Sequence, residues 1–108
     1  SRNAYLNPQQ RKQALVLYRS LMRVQMLADR GENNAARLKV AGEQVIAEES
    51  AVKLDYFEVV NQKTLDPVTD ITGGALVAVA AQVGSTRLID NIVVHGKNTT
   101  VNLLPDNF

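Results

Sequence analysis

The chain has 108 residues, of which 45% are hydrophobic and 21% charged, a composition that suits one globular domain and excludes a disordered segment. Its 12 basic and 11 acidic residues leave a formal net charge of +1, without the basic excess of an electrostatic nucleic-acid binder. With no cysteine and one histidine, His95, it has no disulfide, no thiolate nucleophile, no Cys-ligated zinc and no multi-His metal site. The longest apolar run, Gly73 to Ala81, is too short to cross a bilayer. Ser1-Arg2-Asn3 resembles neither a signal peptide nor a translational start, and predicts a cut made inside a longer protein.

A first helix is predicted after Asn7, which can cap it. Pro8 suits the first helical position, because its missing N–H would be unpaired there anyway, and Gln10 completes a capping box. Ala14, Leu17, Leu21, Val24 and Ala28 recur at alternating steps of three and four, which makes one apolar stripe. Leu15, Tyr18 and Met22 are expected to broaden it on one side. Gly31 is the expected stop, since it accepts the left-handed conformation that ends many helices. A second helix is predicted from Asn33 or Asn34 to about Glu49, burying Leu38, Ala41, Val45 and Ile46. Gly42 lowers its propensity by about 1 kcal/mol relative to Ala, or permits a close contact with a helix or sheet. The short turn between the helices predicts an antiparallel pair.

The pattern changes after Ala51. Val52 to Val60 is rich in β-branched and aromatic residues, with Val52, Leu54 and Tyr56 alternating against Lys53 and Asp55. Phe57 and Val59 break that alternation, so the buried face is undetermined along the whole strand. Asp66-Pro67 and Gly73-Gly74 punctuate a polar connection. Ala75 to Gln82 reads as a fully buried strand of small residues. Gly84-Ser85 suits a two-residue type II′ hairpin, and Thr86 to Val94 forms the third strand. The predicted fold is therefore α+β, with two N-terminal helices packed on a small three-stranded antiparallel sheet. Residues 1–95 form the domain, and 96–108 a polar C-terminal tail.

Few residues offer chemistry. Ser1 and Arg2 pair a hydroxyl with a guanidinium, a good donor set for phosphate oxygens, although a frayed terminus has the same composition. Leu17-Tyr18-Arg19 resembles the motif of small helical adaptors in iron–sulfur assembly; its plain reading puts Leu and Tyr in the core and Arg in solvent. Arg87 and Asp90, three apart, do not share a strand face, which argues against a catalytic pair. Asp90-Asn91 inside a strand, where both residues are disfavoured, ends the strand, serves a neighbouring backbone or faces a functional cleft, and structural use is the expectation. His95 reads as an incidental surface side chain, and Glu48-Glu49 as a solvated helix end. Asp55 and Glu58 fall on opposite strand faces by alternation, a poor arrangement for acid–base work. Gly73-Gly74 lacks the lysine and spaced glycines of a phosphate loop.

In their order, several segments together resemble the C-terminal domain of the pantothenate synthetase family. They are Ser1-Arg2-Asn3-Ala4-Tyr5-Leu6, Pro8, Arg11, the Leu17-centred helix, Leu54-Asp55-Tyr56-Phe57-Glu58-Val59, Thr64-Leu65, Ala75 to Ala80, and Thr86-Arg87-Leu88-Ile89-Asp90-Asn91-Ile92. The resemblance implies an ATP-dependent, AMP-forming ligase that joins pantoate to β-alanine through a pantoyl-adenylate, in a cytoplasmic, homodimeric parent that uses ATP and Mg2+. It implies that this domain is a lid over a Rossmann-type N-terminal domain, which holds the nucleotide and both small substrates. It further implies that Ser1 and Arg2 bind the ATP phosphates. On this reading the chain alone is inactive and binds no cofactor, and the parent has no nucleic-acid or membrane partner. The helical adaptor is the alternative.

Overall fold

A computed structural model of the chain describes residues 6–95. The tail beyond His95, and with it the expected boundary between residues 95 and 96, falls outside the described residues.

Helix α1 (Pro8–Asp29) starts as its capping residues predict. The Asn7 side chain accepts from the Gln10 backbone N–H at 2.8 Å, and Gln10 Oε1 accepts from the Asn7 N–H at 3.2 Å. It ends at Gly31, whose φ is 104°. There the Gly31 N–H donates to Ala28 O and the Glu32 N–H to Leu27 O, so carbonyls of the last turn find partners. Helix α2 (Ala35–Ala47) is capped by Asn34 and stops two residues before the expected Glu49.

The stripe on α1 broadens the opposite way from the expectation. Val16 and Ser20 are buried beside Leu17, Leu21, Val24 and Ala28, whereas Leu15 and Tyr18 are 57% and 56% exposed. The reason is the length of α2. The ion pair of Arg19 with Glu48, at 3.0 Å, marks where the end of α2 meets α1. Leu15 and Tyr18 lie beyond that point and have no helix to pack on, while Met22, inside it, is half-buried. On α2, Ala35, Leu38, Gly42 and Ile46 are buried, and the expected Ala41 and Val45 only partly so.

Strands β1 (Val52–Val60), β2 (Ala75–Val83) and β3 (Thr86–Val94) form one antiparallel sheet in the order β1-β2-β3. Val83 pairs with Thr86 across Gly84-Ser85, and only Gly84 of the two has a positive φ, 62°, as a type II′ turn requires. The helices cover one face. Ala75, Val77, Val79, Ala81 and Val83 of β2 all point into it and are buried. The opposite face is uncovered, so β2 is not buried on both sides as expected: Leu76 and Ala78 are half-buried and Gln82 is exposed.

A β-bulge resolves the broken alternation of β1. Leu54 pairs with Ala81 and Tyr56 with Ala80, which leaves Asp55 as the extra residue. Before it Val52 faces the helices; after it Phe57 and Val59 do. Phe57 rests on Gly42 of α2. A β-carbon there would meet the ring, 2.7 Å from both Cε atoms, so glycine allows the helix to approach the strand. The connection between β1 and β2 is tied to the interhelix turn by Ala35 N–H to Thr69 O and Ile71 N–H to Asn33 O, both 3.0 Å. Ile71 thereby closes one end of the core.

Candidate functional site

Ser1, Arg2 and Asn3 lie outside the described residues. Their point of attachment does not. Leu6 is buried in the core, directly before the α1 cap. The Gln10 side chain, in the first turn of α1, lies against Gly84 at the tip of the β2–β3 hairpin, where an added β-carbon would stand 3.3 Å from Gln10 Cδ. The start of α1 and the hairpin tip thus form one end of the domain.

A shallow cavity of about 270 Å³ opens at the hairpin end, lined by Ala51, Lys53, Gln82 and Gly84. Lys53 pairs with Gln82 across β1 and β2, and Gln82 pairs with Arg87 across β2 and β3. The three therefore stand in one row on the uncovered face. Sequence reasoning passed over Lys53 and Gln82; the available signal was Gln82 itself, the single polar residue in β2.

Two segments of the family resemblance meet on this face. Arg87 donates through Nε to Asp55 Oδ2 at 2.8 Å, its Nη2 lies 2.8 Å from the same oxygen, and its guanidinium sits 5.9 Å from the centre of the Tyr56 ring. Alternation from Lys53 already places Asp55 on the open face, and the bulge brings Tyr56 onto it as well. The bulge also overturns the expectation that Asp55 and Glu58 take opposite faces: Glu58 shares a register row with Ala78 and Asn91, on the same open face as the Asp55 carboxylate. Separate cations nevertheless occupy the two, Arg87 on Asp55 and Lys39 on Glu58 at 3.9 Å.

The other candidates take structural places. Asp90 lies on the face opposite Arg87, as alternation predicts, and its Oδ1 accepts from the Asn91 N–H at 2.8 Å. His95 is exposed at the end of β3. Glu48 is an exposed helix-end residue paired with Arg19. Leu17 is buried, but Tyr18 is exposed, so the plain reading of Leu17-Tyr18-Arg19 holds only for Leu and Arg. Among the described residues no group of three or more His, Asp or Glu side chains could hold a metal ion, and no helix is long and apolar enough to cross a membrane.

Comparison with known proteins decides the family. The family described as Pantoate-beta-alanine ligase matches residues 1–93. The chain belongs to the pantoate–β-alanine ligase family. A pantothenate synthetase of Koribacter versatilis is 66% identical over 94 residues, which cover 87% of this chain and 32% of that protein. One from Caldicellulosiruptor saccharolyticus is 49% identical over 94 residues, covering 34% of its length. The crystal structure of pantothenate synthetase from Thermus thermophilus superimposes with a TM-score of 0.81 at 38% identity, over 87% of this chain and 34% of that one. The chain thus spans about a third of the length of the pantothenate synthetases it matches. The helical-adaptor alternative falls, both on this membership and on the three strands that fill the second half of the chain.

Proposed function

We propose that this chain is the lid domain of an ATP-dependent ligase that condenses pantoate with β-alanine through a pantoyl-adenylate. The observation that carries this reading is the 66% identity over 94 residues to a pantothenate synthetase roughly three times as long as the matched segment. On this reading the remaining two-thirds of the parent form a Rossmann-type domain that holds ATP, pantoate and β-alanine, and the parent is a cytoplasmic homodimer with no nucleic-acid or membrane partner. The chain by itself forms no pantothenate.

The domain's chemical contribution is carried by Ser1 and Arg2. When the pantoate carboxylate attacks the α-phosphorus, pyrophosphate departs and negative charge grows on the bridging and terminal oxygens. A hydroxyl and a planar guanidinium placed there bind the departing charge more tightly than the starting triphosphate, which lowers the barrier rather than only the KM. Among the described residues no group of three or more His, Asp or Glu side chains could hold a metal ion, and no step is assigned to Mg2+.

The test is Arg2→Ala in the full-length enzyme, followed by pyrophosphate release with saturating pantoate. Removing one such donor lowers turnover by about 10²–10³-fold, with an unchanged melting temperature because Arg2 precedes the first helix. Turnover within about twofold of the wild type refutes the phosphate role.

A further inference from the structure

We infer that the open face of the sheet is a docking surface for the remaining two-thirds of the parent chain, and that it receives an apolar ridge of that part. This deepens the proposed function and rests on it. The first observation is the make-up of β2. Eight of its nine residues are apolar, and only Gln82, at the hairpin end, is polar. An antiparallel strand with one wet face alternates apolar with polar, whereas an unbroken apolar run belongs to a strand covered on both faces. The helices cover one face of β2, where Ala75, Val77, Val79, Ala81 and Val83 are buried. Leu76, Ala78 and Ala80 alternate with these onto the other face, so β2 is built for a second cover.

The second observation is the extent of the patch. Two apolar rows cross the open face, Tyr56–Ala80–Ile89 and Val60–Leu76–Val93. Ile89 is 58% exposed and Val93 43%. Contiguous apolar surface with a polar rim marks an interaction site. Of the charges on this face, Asp55 and Arg87 are matched by each other and Glu58 by Lys39, so covering them costs less than covering single ions. The third observation chooses the occupant. Three strands of nine residues offer about 30 Å by 14 Å, or about 400 Å², half of what each partner in a stable complex covers. A free second copy therefore holds weakly, whereas an attached domain meets the face at an effective concentration in the millimolar range, and contacts of this size are usual between domains of one chain. The matched pantothenate synthetases have such a remainder, since this chain covers only 32% and 34% of their length. The buried Leu6 and the Gln10–Gly84 contact set the start of this domain beside one end of the same sheet.

The chain contains no cysteine, so one introduced thiol reports the accessibility of one position. The test compares maleimide labelling of Ile89→Cys in the 108-residue chain and in the full-length enzyme. Any cysteine of the remaining two-thirds is replaced by serine, and the enzyme is held with saturating ATP and pantoate but no β-alanine. Labelling in the full-length enzyme is expected to be about tenfold slower or more, because a face docked about nine times in ten reacts about tenfold less often. Leu15→Cys and Val40→Cys, at exposed positions of the helices, label equally in both proteins. Ile89→Lys, added to a Val93→Cys enzyme, undoes the protection of that thiol. Ile89 is exposed, so neither substitution there disturbs the fold, which circular dichroism checks. Ile89→Cys labelling within about twofold in the two proteins overturns the inference. So does protection of Leu15→Cys or Val40→Cys in place of Ile89→Cys, which puts the helices at the interface. Protection that grows with the concentration of the 108-residue chain overturns it too, because a second copy is then the cover. Pantothenate formation by the wild-type full-length enzyme tests the parent reading separately. If pantothenate forms while Ile89→Cys stays open, only the docking falls; if none forms while Ile89→Cys is protected, the ligase reading falls and the docked face stands.

Discussion

Replacing Gly42 by alanine tests the closest contact in the fold. On an exposed helical surface this change stabilises by about 1 kcal/mol, because alanine is the better helix former. Here the new methyl would enter the Phe57 ring, 2.7 Å from Cε1 and Cε2. The ring is 1% exposed and set in the core beneath α2, so it has no open space to swing into. Either α2 lifts from β1 or the ring leaves its rotamer. Overpacking of this kind costs about 1–3 kcal/mol, and a methyl meeting the edge of a planar ring belongs at the upper end. Subtracting the propensity gain leaves a net loss of about 2 kcal/mol. For a domain of this size that lowers Tm by about 8–16 °C. Urea unfolding followed by circular dichroism measures it. The same substitution in a Phe57→Leu background supplies the control, because the shorter side chain removes the atoms that clash. There Gly42→Ala should be neutral or stabilising, giving a coupling energy above about 1 kcal/mol. A Gly42→Ala chain that is more stable than the wild type, or an equal loss in both backgrounds, refutes the close-approach argument.

Leu21→Ala empties a central position of the α1 stripe, where the side chain is fully buried. It should destabilise the domain by about 2–5 kcal/mol in the same unfolding assay, and a loss below about 0.5 kcal/mol would contradict the burial. Leu65 has a φ of 65° and is 61% exposed, so it holds a left-handed backbone with little burial in return. Leu65→Asn, which tolerates that conformation better, should raise stability by about 0.5–1 kcal/mol, and a loss of that size would show that the exposed leucine packs in solution.

The helix ends were readable because each depends on side chains within a few positions in sequence: Asn7 with Gln10, Asn34 with Arg37, and Gly31 after the last turn. The hairpin was readable for the same reason, since one residue with a positive φ defines its turn. What local pattern could not supply was which flank of α1 would be covered. Leu15 is as apolar as Val16 and Tyr18 carries a large ring, and the point where α2 ends leaves both in solvent. The limit is one of distance along the chain, because Arg19 and Glu48 must first be known to meet. The phosphate-binding role proposed for Ser1 and Arg2 rests on family resemblance alone, as a hydroxyl beside a guanidinium has the same composition as a frayed terminus.

The bulge at Asp55 shows how one extra residue links the remaining features. Alternation assumes a period of two, and a single insertion reverses every assignment beyond it. Read without the insertion, Phe57 and Val59 violate the strand, and Asp55 and Glu58 fall on opposite faces. With it, Phe57 drops onto Gly42 and Tyr56 joins Asp55 on the open face, where both meet Arg87. This surface ion pair, with side chains 47% and 53% exposed, contributes little to stability, about 1 kcal/mol at most. Its larger consequence is geometric. The clamp pins one guanidinium beside Tyr56, while Lys53, at the other end of the row, has no such carboxylate partner among the described residues. The same residue that spoils the strand pattern therefore sorts the two cations of the row, one tied into the sheet and one left in solvent.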